Sequence, residues 1–185
     1  LARVDAGRMS TNKNTLESKN TMNATDLQQS VSAFLYREAE CVDERRWDDW
    51  LALFDAQAEY WIPSWDSEYE LVSNPQSEVS LMYYPSRAGL EDRVVRLRTG
   101  RSAASTPLPR TCHTVSNVRP VLQADGSCSV KANFLTHLFR NDATQLFYGH
   151  YEYLLTPHEG SWLIRKKKVI VLNDLIDTVL DIYSV

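Results

Sequence analysis

Glycine is scarce in this sequence, and the glycine-rich motifs that hold phosphate groups are absent from it. The 185 residues include 6 Gly, and none of them forms a G-x-x-x-x-G-K-[ST] or G-x-G-x-x-G pattern. The G-x-S-x-G turn that presents a nucleophilic serine is also missing. Nucleotide binding through a glycine loop and serine-hydrolase chemistry therefore have no support in the sequence.

Cysteine is also sparse. The three residues Cys41, Cys112 and Cys128 are spread along the chain. Structural zinc sites and redox pairs use C-x-x-C spacing, which does not occur here. We expect free buried thiols, because cysteine is often buried and unpaired in proteins that are not secreted.

The histidines and cysteines lack the spacing of an iron centre. A Rieske cluster needs C-x-H and C-x-x-H patterns, whereas Cys112 and His113 are direct neighbours and no C-x-x-H occurs. A mononuclear iron site needs two His and a carboxylate. No His pair has helical i, i+4 spacing, although His137 and His150 have the positions to meet across a hairpin. The sequence therefore predicts no metal site in this chain.

Excess positive charge and long apolar runs are missing as well. The formal net charge is −4, whereas general nucleic-acid binders usually present a basic surface. No apolar run has the length of a membrane span, and residues 1–24 lack the apolar core of a signal peptide. We therefore predict a cytoplasmic protein with a polar N-terminal arm, residues 1–24, and a single domain, residues 25–185.

The first half of the domain has helical periodicity. Thr25 and Gln28 fit a capping box, and the apolar residues that follow recur at helical spacing. This first buried stripe consists of Val31, Phe34, Leu35, Ala39 and Val42. A second helix is predicted from Trp47, with a stripe of Trp47, Trp50, Leu51 and Phe54. Residues 58–63 are predicted to form a short strand, residues 64–80 an irregular connection and residues 87–98 a third, amphipathic helix.

The second half has the alternation of a β-meander. Four long strands are predicted at residues 111–122, 129–140, 145–156 and 161–172. The dipeptides Asp125-Gly126, Asn141-Asp142 and Glu159-Gly160 separate them at hairpin spacing. This order predicts an α+β fold, in which N-terminal helices pack on one face of a strongly curved antiparallel sheet.

An acid–base site is one catalytic hypothesis for such a fold. A cone of helices on a curved sheet can enclose an apolar pocket, and Asp49, Tyr60, His113 and Tyr148 are candidates to line it. Asp48 and Asp49 stand between two tryptophans, where a carboxyl group can have a raised pKa. The alternative, which we favour, places both acids in the first turn of a helix, where they complement its dipole.

Five arginines are concentrated in residues 83–103, YYPSRAGLEDRVVRLRTGRSA. In a helix, Glu91 would pair with Arg87 and Asp92 with Arg96, which is typical of a solvated face. However, all five cations are Arg and none is Lys, and Arg is enriched at protein interfaces. We therefore predict a subunit interface that contains Tyr83, Tyr84, Arg87, Arg93, Arg98 and Arg101, together with Trp61 and Trp65.

Two long segments resemble a known family. They are FLYREAECVDERRWDDWLALFDAQAEYWIP, residues 34–63, and NPQSEVSLMYYPSRAGLEDRVVRLRTGRSAASTPLPRTCHTVSNV, residues 74–118. Both resemble the small (β) subunits of aromatic-ring-hydroxylating dioxygenases, in particular the benzoate, halobenzoate and anthranilate branch. The resemblance extends over residues 26–185.

This resemblance implies a cystatin-like cone of the nuclear-transport-factor-2 superfamily and an α3β3 hexamer with a large α oxygenase subunit. It implies that α holds a Rieske 2Fe-2S cluster and mononuclear Fe(II), and that the β subunit holds no cofactor and no catalytic residue. The implied holoenzyme adds both atoms of O2 to an aromatic carboxylate and yields a cis-dihydrodiol or catechol. Its electrons would come from NADH through a separate reductase that acts on α.

Two other functions remain open from the residues themselves. One is a free-standing isomerase or dehydratase on the same cone, which would use the acid–base residues named above. The other is a binding module for a small acid or a protein partner.

Overall fold

The computed structural model describes residues 23–100 and 105–185, so Arg101 and nearly all of the predicted N-terminal arm lie outside the described residues. Within these ranges, helices and strands follow one another in two blocks. The first block consists of α1 (Ala24–Asp43), α2 (Trp47–Leu51), β1 (Phe54–Pro63), β2 (Ser80–Tyr84) and α3 (Arg87–Arg98). The second consists of β3 (Arg110–Leu122), β4 (Cys128–Arg140), β5 (Ala143–His158) and β6 (Ser161–Val171).

The described strands form one sheet in the order β2-β1-β6-β5-β4-β3. The predicted α+β class, with helices on one face of a sheet, is confirmed. The prediction of a wholly antiparallel sheet is wrong at one position, because β1 and β6 pair in parallel. In the meander β3 to β6, one edge of β6 has no partner, and the much earlier strand β1 pairs with that edge. No local sequence signal predicts this pairing.

The turns of the meander follow the predicted residue types. Asn141 and Asp142 have φ values of 52° and 59°, and Glu159 and Gly160 have values of 48° and 77°. Two consecutive left-handed residues define the type I′ turn, whose twist matches that of the flanking strands. The predicted third helix and four later strands are present, and their ends differ from the prediction by at most two residues.

The start of α1 differs from the prediction. The helix begins at Ala24, and the side chain of Asn23 accepts a hydrogen bond from the backbone N–H of Asp26 at 2.9 Å. Thr25 lies inside the first turn and is not the cap. Asn caps helices at least as well as Thr. The helix therefore begins after Asn23, two residues before the predicted cap at Thr25.

The second helix is shorter than predicted, the predicted strand after it begins earlier, and one further strand is present that was not predicted. α2 ends at Leu51, and Phe54 is the first residue of β1. Asp48 and Asp49 do lie in the first turn of α2, as we favoured. The segment after β1 is irregular up to β2, which pairs with β1 and was not predicted.

The core lies between the helices and the inner face of the sheet, and it is rich in aromatic rings. Trp50 packs edge-on against Phe54 with ring centroids 4.8 Å apart, and Phe134 stacks on Tyr151 at 4.5 Å. Residues 181–185 return to this core and are buried. Each large apolar side chain of this core contributes about 1.5–3 kcal/mol to the free energy of unfolding when it is fully buried. Of the helices described, none is both long enough and apolar enough to cross a membrane.

Gly149 is the position where the sheet tolerates no side chain. A Cβ atom there would lie 1.9 Å from the Ile170 carbonyl oxygen and 3.0 Å from the Phe134 ring. We expect Gly149→Ala to lower the free energy of unfolding by about 2–3 kcal/mol, because the β5–β6 ladder must separate to accommodate the methyl group. Urea unfolding measures the loss, with His150→Ala on the exposed side of the same strand as the control. Equal stability of the two variants would contradict this packing.

Candidate functional site

The interior of the cone contains a buried pair of opposite charges. Glu38 of α1 and Lys167 of β6 both have side chains that are 4% exposed. Lys167 Nζ donates to Glu38 Oε1 at 2.8 Å, and the Tyr153 hydroxyl donates to Glu38 Oε2, also at 2.8 Å. Since an uncompensated buried charge is strongly destabilising, each partner depends on the other.

Three tyrosine rings surround the Lys167 ammonium group. The centroids of Tyr151, Tyr153 and Tyr60 lie 4.5, 5.5 and 5.8 Å from Nζ, within the range of cation–π attraction. Burial, together with the nearby charge of Glu38, raises the pKa of all three phenols well above the usual value. The phenols therefore stay neutral, and the Glu38 carboxylate is fully engaged, so neither is free to remove a proton from a substrate.

A second polar contact lies where the end of α1 meets β3. His113 Nδ1 is 2.6 Å from Asp43 Oδ1, and the His113 backbone N–H donates to Asp43 Oδ2 at 2.9 Å. The Thr111 hydroxyl donates to Oδ1 at 2.7 Å. Burial alone would raise the pKa of Asp43, but the hydrogen bonds from His113 and Thr111 outweigh it and lower that pKa. His113 Nε2 is buried and has no partner within the described part of the chain.

Little space remains inside the cone. The cavity between α1, His113 and Lys167 has a volume of about 10 Å³, and Val185 forms part of its wall. That is room for about one water molecule, whereas small-molecule sites typically measure about 300–1,000 Å³. A groove of about 500 Å³ beside α1 is open to solvent, and its lining includes Glu40, Glu44 and the Asp43–His113 pair. The interior is thus packed as a core and not shaped as a substrate site.

The residues proposed for acid–base chemistry do not converge. Tyr60 and His113 are in the interior, as described above. Asp49 is exposed and accepts a hydrogen bond from Arg46 at 2.9 Å. Tyr148 is 41% exposed and shares the opposite face of the sheet with its cross-strand partner Leu135. The predicted set therefore does not line one pocket.

The metal-binding side chains are also dispersed. His137 and His150 do not meet across the hairpin, because their cross-strand partners are Leu146 and Asn133. The three cysteines are free, but Cys112 is exposed and not buried as predicted. In residues 23–100 and 105–185, no group of three His, Cys, Asp or Glu side chains is placed to hold a metal ion. The donors present here do not fit a Rieske cluster or a mononuclear iron.

Arg93 joins α3 to the C-terminal segment. Its Nε donates to Asp181 Oδ1 at 2.7 Å and its Nη2 donates to Oδ2, a bidentate contact to a carboxylate that is 0% exposed. The Ser105 hydroxyl donates to the same carboxylate at 3.2 Å. Residue 93, which the sequence suggested for a subunit interface, thus holds residues 181–185 in the core of its own chain.

The first helical pair predicted for the arginine segment is present and the second is not. Arg87 Nε donates to Glu91 Oε1 at 2.8 Å, and its Nη1 donates to the Phe54 carbonyl at 3.0 Å. No ion pair joins Asp92 to Arg96 in the described residues. Arg87 therefore ties the start of α3 to the start of β1.

Two other interface candidates are exposed but have internal contacts. Arg98 Nη2 lies 2.8 Å from Asp48 Oδ2 and so links α3 to α2. Trp65 is 38% exposed, and its Nε1 donates to the Val171 carbonyl at 2.8 Å. Both leave part of their surface available to a partner.

Three of the remaining four candidates lie on β2 and its neighbour β1. Trp61 is only 8% exposed and donates from Nε1 to Ser80 Oγ at 2.9 Å. Tyr83 and Tyr84 are half-buried, and Arg101 lies outside the described residues. An interface role for these residues stays a prediction.

Sequence reasoning missed the charged centre of the cone. Glu38 stands three and four residues from Leu35 and Phe34 on one side and from Cys41 and Val42 on the other, so it occupies the buried stripe of α1. A carboxylate inside an apolar stripe is a usable signal of a buried partner. Its partner Lys167 is one of three consecutive lysines, and nothing in the sequence indicates which of them is buried.

Comparison with known proteins gives a consistent result. Residues 37–178 match the family described as ring hydroxylating beta subunit. The small subunit of anthranilate 1,2-dioxygenase from Acinetobacter baylyi is 43% identical over 160 residues, which are 86% of this chain and 98% of that protein. The beta subunit of benzoate 1,2-dioxygenase from the same organism is 42% identical over 170 residues, 89% of this chain and 100% of that one.

Solved structures agree. The beta subunit of the benzoate 1,2-dioxygenase from Burkholderia mallei superimposes with a TM-score of 0.72 at 34% identity, over 89% of this chain and 99% of that one. A chain described as a scytalone dehydratase from Novosphingobium aromaticivorans gives a TM-score of 0.61 at 12% identity, over 83% and 91% of the two chains. The second likeness concerns the fold alone and supports the predicted cystatin-like cone.

The buried charge pair makes a stability prediction. We expect Lys167→Met to lower the free energy of unfolding by about 3–5 kcal/mol, because Glu38 loses its counter-charge inside the core. The double variant Glu38→Leu/Lys167→Met removes both charges, and we expect it to recover most of this loss. Urea titration of the single and double variants measures both values. A single variant as stable as the double one would show that the pair is not energetically coupled.

The contacts of Asp43 predict how the stability of the fold changes at acid pH. Its pKa is lower in the folded chain than in the unfolded one, so its contribution is present above the ordinary Asp value of about 3.9 and is lost as the pH falls through the folded pKa. We expect Asp43→Asn to lower the free energy of unfolding by about 1 kcal/mol at neutral pH, and by less as the pH approaches 3. Thermal unfolding between pH 7 and pH 3 tests it, with the exposed Asp177→Asn as control. A constant difference across this range would refute the assignment.

Proposed function

The chain belongs to the ring hydroxylating beta subunit family, and on that basis we propose that it is the structural β subunit of a dioxygenase that acts on an aromatic carboxylate. One observation carries the proposal: relatives more than 40% identical over nearly their whole length are small subunits of anthranilate and benzoate 1,2-dioxygenases. Both of those names specify an aromatic acid as substrate. A benzoate-like acid is therefore the substrate class proposed for the complete enzyme.

The reaction is proposed for the assembly and not for this chain. A large α subunit would hold the Rieske cluster and the mononuclear iron, and would receive electrons from NADH through a separate reductase. Addition of both atoms of O2 to the ring would give a cis-dihydrodiol or a catechol. The scattered His and Cys residues described above support the assignment of both iron centres to the partner.

A free-standing isomerase or dehydratase is the weaker alternative. Enzymes of that kind need a substrate space beside a free acid or base. In this cone the central acid, Glu38, is held by Lys167 and Tyr153, and the cavity beside it measures about 10 Å³. The packed interior supports a role in assembly for this chain.

We extend the proposal to the assembly itself. Three copies would join three α subunits as an α3β3 hexamer in the cytoplasm. The aromatic and arginine residues around β2 and α3 are proposed to lie at subunit contacts. Trp65 and Arg98 are the best placed of those described, because both remain more than a third exposed in the single chain.

Co-purification with the large subunit tests the function. We expect the chain expressed alone to contain no iron and to turn over no aromatic acid, and the co-expressed pair to form one complex that contains iron and oxidises benzoate or anthranilate when supplied with reductase and NADH. Light scattering gives the mass, metal analysis the iron, and product chromatography the turnover. A lone chain that isomerises or dehydrates a small ketone or alcohol would overturn the proposal, as would failure to bind the large subunit.

A further inference from the structure

One ring nitrogen in the interior of the cone has no hydrogen-bond partner. The His113 side chain is 3% exposed, and its Nε2 atom makes no hydrogen bond within the described part of the chain. Buried polar atoms in folded proteins are usually paired with a protein group or with an ordered water molecule, because an unpaired one is destabilising. The side chains around His113 do not supply that partner, so a bound molecule is the remaining source.

The contact with Asp43 determines what kind of partner suits this nitrogen. Asp43 Oδ1 lies 2.6 Å from His113 Nδ1. Although burial opposes it, the hydrogen bonds from His113 and Thr111 lower the pKa of the Asp43 carboxyl group. An ionised carboxylate only accepts hydrogen bonds, so the ring proton lies on Nδ1, and Nε2 of the neutral ring is an acceptor. The partner that suits Nε2 is therefore a hydrogen-bond donor.

The ammonium group of Lys167 has donors available beside the same cavity. His113, Lys167 and Glu38 all line the cavity of about 10 Å³ next to α1. An ammonium group has three N–H donors, and in the described part of the chain that of Lys167 makes one hydrogen bond, to Glu38 Oε1. A molecule in the cavity can therefore accept from Lys167 and donate to His113.

The two polar contacts already act on one ring. Burial, the charge of Glu38 and, less strongly, the charge of Asp43 raise the pKa of Tyr151. Tyr151 lines the cavity, and its ring centroid lies 4.5 Å from Lys167 Nζ. The carboxylate at the end of α1 and the charge pair at the centre of the cone are thus close neighbours in space, with the cavity beside both.

The cavity has the size and the lining of a water site. A volume of about 10 Å³ is room for about one water molecule, and a buried water needs about two to four polar partners. The cavity offers a ring nitrogen from β3, an ammonium group from β6 and a carboxylate from α1. It also shares Ala39, His113 and Val115 with the open groove beside α1, so water has a short route past the small side chain of Ala39.

We propose that this cavity is a hydration site, in which one water molecule donates to His113 Nε2 and accepts from the Lys167 ammonium group. The water joins the Asp43–His113 contact to the Glu38–Lys167 pair, so that one chain of hydrogen bonds connects α1, β3 and β6. Groups linked in such a chain strengthen one another. His113 is then a positioning residue that holds the centre of the cone together, in a chain that stands independently of any partner subunit.

A high-resolution crystal structure of the unmodified full chain tests the site directly. We expect an ordered water molecule within about 3.2 Å of both His113 Nε2 and Lys167 Nζ. A protein atom bonded to Nε2, or a water molecule that contacts only one of the two nitrogens, would overturn the proposal. This measurement needs no variant and therefore does not depend on whether any variant folds.

A double-mutant cycle measures whether the water couples the two contacts. His113→Leu removes one end of the bridge, and Glu38→Leu/Lys167→Met removes the other end together with its counter-charge. We expect His113→Leu to raise the unfolding equilibrium constant by about fivefold less in the Glu38→Leu/Lys167→Met background than in the unmodified chain, because the bridge can be lost only once. Urea titration of the four chains gives the values.

The neighbouring lysine provides the matched control. Lys166 is exposed, whereas Lys167 is buried, so Lys166→Met removes the same charge from the same strand without reaching the cavity. We expect the effects of Lys166→Met and His113→Leu on the unfolding equilibrium constant to be additive. Additive effects in the Lys167 cycle as well would show that no bridge joins His113 to the charge pair, and would refute the proposal.

Discussion

The buried ion pair between Glu38 and Lys167 is the constraint around which the rest of this molecule is arranged. Two charges can remain inside a core only if each is compensated there, and here a carboxylate, an ammonium group and a tyrosine hydroxyl compensate one another. The rings that enclose the ammonium group also pack as core. As a result, the concave side of the sheet, where a cone of this kind has room for a ligand, is occupied by the protein's own side chains.

The C-terminal residues close the cone, and the contacts around them explain why residues 83–103 contain several arginines. Residues 181–185 cover the interior, and the bidentate contact of Arg93 with Asp181 holds them against α3. Arg87 and Arg98 fasten the same helix to β1 and α2. Arginine suits these positions because its planar group makes several directed bonds at once. The arginines that suggest an interface in the sequence thus make contacts within their own chain. A partner would meet a surface that these contacts already hold in place.

Much of the fold followed from local signals, and the part that did not follow has identifiable causes. Helix α3, the meander and its turns were predictable, because periodicity and turn residues act over short distances. The parallel pairing of β1 with β6 joins segments about a hundred residues apart and leaves no local trace. In β6, a bulge at Arg165 shifts the alternation, so that Lys167 points inward while Lys166 and Lys168 point outward. A regular period of two would have placed Lys167 on the solvent side with Arg165, which is why the central charge was missed.

That bulge connects the interior of the cone with its outer surface. By turning one lysine of three consecutive lysines inward, it provides the counter-charge for Glu38 and leaves the other two on the face of the sheet that points away from α1. The same strand therefore supplies the charge that neutralises Glu38 in the core and two of the cations on the opposite face of the sheet. Because its interior is filled by its own side chains, this chain presents its surface and not a central pocket to a partner.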